Sequence, residues 1–325
     1  MITGKKILIL GGSGSLGHAL TQRYLPNNQI YIFSRGENTQ WQMKQTFNNS
    51  PNLIFYVGDI RDKNQIENCI FQSQPNIIII AAALKHIDVC ENNVNECINT
   101  NIDGIRNVIN LIVSHSTVNH MSFLENVVFV STDKACAPVN VYGMCKSISE
   151  RIVVEKTQYL KSPKLVVVRY GNVLTSRGSI IPFYKNIAND PNKRNFPVTD
   201  ERMTRYFMKL DDSVDLIDYA ILYAKTGDTV IPKNIRSYRV IDIAKFFSEK
   251  YGKPIEIIGI RPGEKIHETL ISFTESLRTE EQGKYYIINP SYSKEKHATT
   301  FSCLEFNSFE TVGNIDSFIQ PIMDS

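Results

Sequence analysis

Short runs of consecutive apolar residues alternate along this chain with longer stretches in which apolar and polar residues recur at helical spacing. Such short runs are typical of parallel strands buried on both faces, and the amphipathic stretches are typical of the crossover helices between them. The pattern predicts strands at Ile7–Leu10, Ile30–Phe33, Leu53–Val57, Ile77–Ala81, Val127–Ser131 and Leu165–Arg169. It predicts helices near His18–Leu25, Gln40–Phe47, Lys63–Phe71, Asn93–Ser114 and Tyr142–Tyr159.

This alternation predicts an α/β protein with a Rossmann-type, doubly wound parallel sheet. The alternation ends near Gly171, after which an apolar, helix-like stretch at Ser179–Ala188 and a polar loop lead into shorter elements. We therefore predict a Rossmann domain over residues 1–170 and a smaller region over residues 171–325, some of whose strands or helices can return to the first sheet. The polar C-terminal 35 residues are predicted to form an edge or an oligomer contact.

Composition and charge narrow the functional classes. The 325 residues include 36 Lys and Arg against 33 Asp and Glu, and a formal net charge of +3 is too small to indicate a nucleic-acid surface. No run approaches the roughly 18 apolar residues of a membrane span, and the N-terminus enters the first strand directly, so neither a membrane partner nor a signal peptide is expected. Six cysteines without a CxxC pair indicate reduced thiols, and His86, Cys90 and Cys97 lack a fourth metal ligand. A soluble, cytoplasmic protein without a metal is predicted.

A glycine-rich segment follows the first predicted strand and precedes a helix. Gly11, Gly14 and Gly17 are spaced Gly-x-x-Gly-x-x-Gly, and glycines in this context permit a tight turn, close approach of a pyrophosphate and contact between helix and strand. A dinucleotide is therefore expected in the first domain. Its predicted contacts are Gly11, Ser13, Gly14, Ser15, Leu16, Gly17, Ser34, Arg35, Asp59, Ile60, Ala81, Ala82, Ala83, Tyr142 and Lys146.

The end of the second strand indicates which dinucleotide binds. An NAD-preferring protein usually places an acidic residue there, on the ribose 2′-hydroxyl. Here Ser34 and Arg35 occupy that place, and a guanidinium can pair with a 2′-phosphate. NADP is therefore predicted in preference to NAD, and residues 1–170 are interpreted as an NADP-binding domain. The simpler alternative is that Arg35 is a solvated loop charge.

Tyr142 and Lys146 lie four residues apart on one predicted helix, so both side chains can reach the same cofactor ribose and substrate hydroxyl. A free phenol has a pKa of about 10, too high for an efficient base at neutral pH. A nearby ammonium and the positive charge of a nicotinamide would lower it. The Tyr-x-x-x-Lys spacing is a weak pattern alone, and it gains weight from following the glycine loop and the fifth strand in order.

Several segments together resemble a known family. They are GGSGSLG, GDIRD, AAALKHID, INTNIDGIRNVI, STDKACAPVNVYGMCK, VVRYGNVLTSRGSIIPF, TDERMTRYFM and IGIRPGEKIHETLI, which run from Gly11 to about Ile271. They are similar to the extended short-chain dehydrogenase/reductases acting on nucleotide sugars, and among these to the soluble, inverting UDP-N-acetylglucosamine 4,6-dehydratases. Relatives that retain the configuration at C5 have Thr-Asp-Glu where this chain has Thr132, Asp133 and Lys134.

The resemblance implies a reaction as well as a fold. Tyr142, as phenolate, would take the C4 hydroxyl proton while hydride leaves C4, with Lys146 and Thr132 beside it. Neutral Lys134 would then remove the C5 proton, provided that burial and neighbouring cations depress its pKa. Protonated Asp133 would protonate the departing C6 hydroxyl, and C5 would be reprotonated on the opposite face. The implied product of this carbon–oxygen lyase is UDP-2-acetamido-2,6-dideoxy-L-arabino-hexos-4-ulose. The simpler alternative for Asp133 and Lys134 is a salt bridge at a strand end.

The resemblance also implies substrate contacts and an assembly. Residues 171–325 would form the substrate-binding region for a UDP-sugar, whose diphosphate calls for guanidinium groups. The implied substrate-binding residues are Lys85, Asn101, Asn172, Val173, Arg177, Arg205 and Arg261, with Glu264 orienting Arg261. Relatives assemble through Rossmann-domain helices, so the helices at Asn93–Ser114 and Tyr142–Tyr159 are expected to form a homo-oligomer, either a dimer or a hexamer.

Two alternative functions remain open on the sequence. A nucleotide-sugar 4-epimerase or reductase would share Tyr142, Lys146 and the glycine loop, but it has no need of an Asp133–Lys134 pair. A non-catalytic NADP-binding scaffold belongs to a different class. Loss of Tyr142 or Lys146 would have indicated such a scaffold, and this chain retains both.

Overall fold

A computed structural model of the chain describes residues 2–291, 301–302, 319–320 and 322–323. The C-terminal stretch predicted as an edge or oligomer contact therefore falls almost entirely outside the described residues. The strands are β1 (Lys6–Leu10), β2 (Gln29–Ser34), β3 (Leu53–Val57), β4 (Ile77–Ile80), β5 (Asn126–Val130), β6 (Lys164–Val168), β7 (Asn172–Val173), β8 (Phe196–Val198), β9 (Thr204–Met208), β10 (Thr229–Pro232), β11 (Arg236–Arg239), β12 (Ile255–Ile257), β13 (Thr269–Ile271), β14 (Thr279–Gln282), β15 (Tyr285–Ile288) and β16 (Phe301–Ser302).

Helices connect most of these strands. They are α1 (Ser15–Tyr24), α2 (Glu37–Thr46), α3 (Lys63–Ser73), α4 (Ile87–Asn92), α5 (Val94–Ile98), α6 (Gly104–Thr117), α7 (Val141–Lys156), α8 (Ile180–Asn189), α9 (Leu210–Leu222), α10 (Val240–Tyr251) and α11 (Phe273–Ser276). The single helix predicted near Asn93–Ser114 is α5 and α6 joined by a π-helical turn at Asn99–Asp103. No helix in the described part of the chain is long and apolar enough to cross a membrane.

The main sheet has nine strands in the order β14-β15-β10-β6-β5-β4-β1-β2-β3. Every pair from β3 to β10 is parallel, whereas β15 runs antiparallel to both β10 and β14. The six predicted strands correspond to β1–β6 in the order 3-2-1-4-5-6, so the predicted Rossmann-type doubly wound fold is confirmed. The return of β10, β14 and β15 means that the later half of the chain completes this sheet.

Both faces of the sheet are covered, which explains why its strands are apolar without interruption. Ile7 and Ile9 of β1 point into one core, packed with residues of α1, α2 and α9. Leu8 and Leu10 point into the opposite core, packed with residues of α3, α6 and α7. Successive side chains of a strand face opposite sides, so a strand between two helical layers needs apolar residues at every position.

A smaller unit with its own core follows the sixth strand. It contains a three-stranded sheet, β11-β9-β7, and the pair β12-β8, with α8 and α10 packed beside them. The Tyr184 ring lies 5.3 Å from that of Phe196 and 5.4 Å from that of Phe247, centroid to centroid. These edge-on aromatic contacts give the unit a rigid centre from which its loops extend toward the main sheet.

Candidate active site

A large cavity of about 1360 Å³ lies at the carboxyl ends of the central strands. One wall comes from the segments that follow β1 to β6, and the other from α8, β8, β9 and the loop at residues 261–264. Ligands of open α/β sheets bind at this edge, where the strand order reverses. Of the site residues expected from the sequence, all line the cavity except Asp59, Asn101 and Asp133.

The glycine loop packs too closely for larger side chains at Gly11, Gly12 and Gly17. Gly11 has φ +82°, and a Cβ there would lie 2.6 Å from the Ala82 backbone. A Cβ at Gly17 would lie 1.9 Å from the carbonyl oxygen of Gly12. Gly14 is the N-cap of α1 and has room for a Cβ, with its nearest neighbour at 3.5 Å. The cradle between this loop and the helix N-terminus therefore fits a dinucleotide pyrophosphate.

The far end of the cradle is lined by Ser34, Arg35 and Ile60. Arg35 is half-exposed, and its nearest carboxylate is that of Glu96 at 3.9 Å. Asp59 instead accepts hydrogen bonds from Arg61 at 2.9 and 3.0 Å, and this partner holds the pKa of Asp59 below its usual range. Arg35 is thus the cation directed at the cavity, and Asp59 supports Arg61 beside it.

Helix α7 carries Tyr142 and Lys146 at its first turns. Asn140 caps the helix by accepting a hydrogen bond from the Gly143 amide at 2.7 Å, and it donates to the Gly263 carbonyl at 2.7 Å. Gly143 lies so close to the Lys134 carbonyl that a Cβ would approach it to 2.3 Å. The cap and this contact fix the start of α7 against both the β5 terminus and the opposite wall.

Burial dominates the proton affinities of the two α7 side chains. It raises the pKa of Tyr142, with a further increase from the charge of Asp133 and an opposing effect of the hydrogen bond with Thr132. The expected lowering by a nearby ammonium does not outweigh burial in this structure. Burial lowers the pKa of Lys146 to about 8, against a smaller raising effect of Glu150. Lys146 Nζ donates to the Val130 carbonyl at 2.7 Å.

Asp133 and Lys134 form a hydrogen-bonded pair directly after β5. Lys134 Nζ lies 2.9 Å from Asp133 Oδ1 and 3.1 Å from Asn172 Oδ1. The Thr132 hydroxyl also donates to Asp133 Oδ1, at 2.9 Å. Asp133 is fully buried, and its Oδ2 has no hydrogen-bond partner among the described residues. Lys134 faces the cavity, while Asp133 lies behind it.

The charge state expected of Lys134 differs from the one that its surroundings favour. Burial alone would lower the pKa of Lys134, and Arg205 acts in the same direction. The carboxylates of Asp133 and Glu268 act against both, and the net result is a raised pKa. The expected depression is therefore not found, because two acidic groups face the amine within the same buried cluster.

Glu268 is the member of this cluster that sequence reasoning missed. It is 1% exposed, and its carboxylate lies 3.7 Å from Lys134 Nζ, 4.0 Å from Arg205 Nε and 3.4 Å from Lys265 Nζ. These cations hold its pKa below the usual range despite its burial. The segment IGIRPGEKIHETLI contains Glu268, but no spacing rule singles it out from Glu264, so only contact in three dimensions reveals it.

Of the predicted substrate residues, Arg177 contacts the glycine loop and Lys85 contacts Arg177. The Arg177 amide donates to Ser15 Oγ at 3.0 Å, and its guanidinium donates to the Ser13 carbonyl. Lys85 Nζ donates to the Arg177 carbonyl at 2.6 Å. The structure therefore places Arg177 across the glycine loop, where it joins the two walls of the cavity.

The other predicted substrate residues differ in how far their polar groups are already hydrogen-bonded within the protein. Asn101 is buried and clamps Leu84, whose amide and carbonyl it binds at 2.8 Å each. Arg205 donates to the carbonyls of Thr204 and Lys265 at 2.7 and 2.9 Å, so both terminal nitrogens of its guanidinium group already form hydrogen bonds. Arg261 is mostly exposed and pairs with Glu264. Asn172 and Val173 line the wall, and Asn172 also orients Lys134.

Thiols lie near the site but form neither a disulfide nor a metal centre in the described part of the chain. Cys69, Cys90, Cys97, Cys136 and Cys145 are buried and free. No group of three or more His, Cys, Asp or Glu residues there is arranged to hold a metal ion.

Comparison with known proteins places this geometry in context. A family model described as polysaccharide biosynthesis protein matches residues 7–290. The UDP-N-acetylglucosamine 4,6-dehydratase (inverting) of Campylobacter jejuni strain 81-176 is 38% identical over 307 residues, which cover 93% of this chain and 88% of that protein. The UDP-glucose 4-epimerase of Rickettsia bellii OSU 85-389 is also 38% identical, over 89% of this chain and 84% of that protein. The X-ray structure of Pen from Bacillus thuringiensis superposes with a TM-score of 0.88 at 28% identity, covering 99% of this chain and 98% of that one.

Proposed function

The chain belongs to the polysaccharide biosynthesis protein family, and on this basis we propose that it is an NADP-dependent, inverting UDP-N-acetylglucosamine 4,6-dehydratase. The proposed product is UDP-2-acetamido-2,6-dideoxy-L-arabino-hexos-4-ulose, so the enzyme would be a carbon–oxygen lyase. Its place in deoxy-aminosugar synthesis agrees with the description of the family.

One observation carries the proposal: the 2.9 Å contact between Lys134 Nζ and Asp133 Oδ1 at the carboxyl end of β5. Oxidation or epimerisation at C4 needs one acid–base group near the C4 hydroxyl, and Tyr142 can supply it. Elimination of water across C5 and C6 needs a second base for the C5 proton and an acid for the C6 hydroxyl. An adjacent amine and carboxyl group provide both functions.

The pair can reach its working state without gaining or losing a proton. The raised pKa of Lys134 favours its ammonium form beside Asp133. Transfer of one proton along the Nζ–Oδ1 hydrogen bond yields a neutral amine and a neutral carboxylic acid. The amine can then accept the C5 proton, and the acid can protonate the C6 hydroxyl as it leaves as water.

In this proposal Tyr142 starts the reaction as the base, and Lys146 assists from the cofactor side. Tyr142 takes the C4 hydroxyl proton, after a fall in its pKa from the raised value that burial imposes. The glycine cradle would hold NADP, which would supply the hydride chemistry at C4 and C6. Lys146, with a pKa lowered to about 8, is held by the Val130 carbonyl at the cofactor side of the cavity. After elimination, C5 receives a proton on the opposite face, which inverts that carbon.

The proposed cofactor contacts follow the cradle. Gly11, Ser13, Gly14, Ser15, Leu16 and Gly17 would hold the pyrophosphate, while Ala81 to Ala83 lie against it. Arg35, the half-exposed cation at the rim, would pair with the 2′-phosphate and select NADP over NAD. On the substrate side, Asn172, Val173, Arg205 and Arg261 would face the UDP-sugar, and Arg177 would close over both ligands.

A nucleotide-sugar 4-epimerase is the second candidate, because the Rickettsia bellii relative carries that name at the same identity. It would use Tyr142 and the glycine loop in the same way. A 4-epimerase has no catalytic use for the Asp133–Lys134 pair, because interconversion at C4 removes no proton from C5 and no hydroxyl from C6. The buried pair therefore favours the dehydratase.

Proton NMR of the purified protein in deuterated water tests the proposal, with UDP-N-acetylglucosamine as substrate and no added cofactor. We expect a new C6 methyl signal, deuterium at C5 and the inverted C5 configuration, all from a tightly bound, recycled cofactor. A change confined to C4, with this substrate or with UDP-glucose, would establish the epimerase instead. Unchanged substrate in both cases, with NADP added, would refute both candidates.

A further inference from the structure

The buried carboxylate of Glu268 lies against the amine to which the proposed function gives the decisive step. Glu268 is carried by the segment before β13, on the opposite wall from β5. Its Oε1 lies 3.7 Å from Lys134 Nζ, and its second oxygen lies 3.4 Å from Lys265 Nζ. Lys265 Nζ in turn donates to the Cys136 carbonyl at 2.9 Å. The carboxylate is thus tied to both walls of the cavity.

Three oxygens surround Lys134 Nζ, at two kinds of distance. Asp133 Oδ1 at 2.9 Å and Asn172 Oδ1 at 3.1 Å accept hydrogen bonds, whereas Glu268 Oε1 at 3.7 Å lies at ion-pair distance. A neutral amine keeps two N–H donors and gains one lone pair. Asn172 and Glu268 are the two oxygens that take no part in proton transfer.

We propose that Glu268 is a positioning residue for the C5 proton transfer: its charge, 3.7 Å from Nζ, together with the hydrogen bond to Asn172, holds the Lys134 side chain at the cavity, where the amine can meet the C5 proton. The inference rests on the proposed dehydratase function. It assigns Glu268 no contact with the sugar, and it explains why a carboxylate is retained in a fully buried position, where an unpaired charge would be costly.

The charge of Glu268 also affects when Lys134 can act. The charged groups that face Lys134 are Asp133, Glu268 and Arg205, and Lys265 faces Glu268 from the other side. Tyr142 faces Asp133, and His267 lies in the field of Arg205. Glu268 raises the pKa of Lys134. The rate of C5 exchange falls as the pH drops through the pKa of the base. Removing the charge of Glu268 lowers this pKa, so the acidic limb of the pH–rate profile for C5 exchange should move to lower pH.

Two substitutions separate position from charge. Glu268→Gln keeps an oxygen acceptor but removes the charge, whereas Glu268→Leu removes both. For each variant, C4 oxidation is followed by the absorbance of the reduced cofactor, and C5 exchange by deuterium incorporation over a range of pH. Glu281→Gln is the matched control, because that carboxylate is exposed and pairs with Lys233 away from the cavity.

We expect Glu268→Gln to retain C5 exchange at its optimum and to shift the acidic limb to lower pH. We expect Glu268→Leu to slow C5 exchange by roughly 10- to 100-fold, as for a base displaced by about 1 Å, while C4 oxidation continues. If C4 oxidation fell as much as C5 exchange, Glu268 would only maintain the site as a whole, and the inference would be wrong. An unchanged acidic limb in Glu268→Gln would also overturn it.

The design keeps this inference separate from the function on which it rests. If the unsubstituted protein forms no C6 methyl group, the proposed dehydratase itself fails. If it does form one and the two Glu268 variants behave like Glu281→Gln, only the role of Glu268 fails. Should Glu268→Leu not fold, which its thermal unfolding and bound-cofactor content would reveal, the pH profile of Glu268→Gln decides the question.

Discussion

At the scale of single residues, the proposed reaction uses one group at C4 and a pair of groups at C5 and C6. Tyr142 lies on α7, whereas Asp133 and Lys134 follow β5, so each can be altered without moving the other's backbone. The proposed reaction is stepwise, since elimination requires the 4-ketone that oxidation creates. Substitutions should therefore stop it at different stages.

We expect Lys134→Ala to permit C4 oxidation but to slow elimination by about 100- to 10,000-fold, the usual contribution of a positioned general base. Tyr142→Phe should stop both steps, because no ketone forms. Rapid-mixing absorbance of the reduced cofactor reports the first step, and the NMR methyl signal reports the second. If Lys134→Ala produced the methyl group at the normal rate, Lys134 would not be the base.

The preference for NADP is a second prediction at this scale. Arg35→Ala should weaken NADP binding by roughly 10- to 100-fold, because a guanidinium–phosphate hydrogen bond contributes about 1.5–3 kcal/mol. Binding of NAD should remain unchanged, since NAD has no 2′-phosphate. Fluorescence titration of cofactor-free protein measures both affinities, and Arg23→Ala, on the outer surface with Asp215 and Asp218, serves as the control. Equal affinity of Arg35→Ala and the unsubstituted protein for NADP would show that Arg35 is only a solvated charge.

At the scale of secondary-structure elements, a buried ion network joins three of them behind the site. Arg169, directly after β6, pairs with Glu150 of α7 at 2.6 Å and with Glu275 of α11 at 2.8 Å. It also donates to the Leu270 carbonyl at 2.7 Å. Because Glu150 lies one turn beyond Lys146 on α7, this network holds α7 against the later part of the chain.

The network should make the free energy of unfolding depend on pH below about pH 4.5. Arg169 lowers the pKa of Glu275 to about 2 from a usual value of 4.5, although burial opposes this. A carboxyl group with a depressed pKa stabilises the fold above its unfolded pKa, and this contribution is lost as the pH falls from about 4.5 toward 2. Glu275→Gln should therefore reduce the free energy of unfolding at pH 7 by about 3–5 kcal/mol and weaken its pH dependence in that window.

Denaturant unfolding at a series of pH values tests this prediction. Glu281→Gln again provides the comparison, because its carboxylate is mostly exposed and an exposed ion pair contributes little. A Glu275→Gln protein as stable at pH 7 as this control would mean that the ion network does not hold α11 to the main sheet.

At the scale of the whole molecule, the outer face of α7 exposes apolar side chains. Met144 and Ile148 are 47% and 46% exposed, and they lie one helical turn apart. Tyr142 and Lys146 point inward from the same helix. Exposed apolar side chains on the outer face of a helix whose inner face is already packed are typical of a contact between subunits.

We therefore expect a dimer, or a hexamer built from dimers, with α7 at the contact between subunits. Met144→Glu combined with Ile148→Glu should dissociate it, because burying two carboxylates in an interface is unfavourable. Light scattering on a sizing column gives the mass, and Tyr159→Glu, an exposed aromatic beyond the end of α7, is the control. A mass equal to one chain for the unsubstituted protein would contradict the prediction.

Much of the fold was predictable because its signals are local. The strands β1 to β6 appear in the sequence as apolar runs, since parallel strands under two helical layers need apolar residues at every position. The strands β14 and β15 did not appear, because their hairpin lies at the sheet edge and includes polar residues such as Glu280 and Gln282. The break at the π-helical turn was also missed, since helical periodicity persists across it.

The sequence by itself determined the order of the strands β1 to β6, the glycine cradle and the candidates for the acid–base groups, since each depends on residues close together in the chain. Only the tertiary structure decided their electrostatic state. Glu268 and Lys134 are distant in sequence, and their 3.7 Å approach reverses the expected effect of burial on the pKa of Lys134. Arg205 likewise appears as a free guanidinium in the sequence, yet folding surrounds it with backbone carbonyls. Charges interact across space rather than along the chain, so the fold had to bring these groups together before their chemistry was defined.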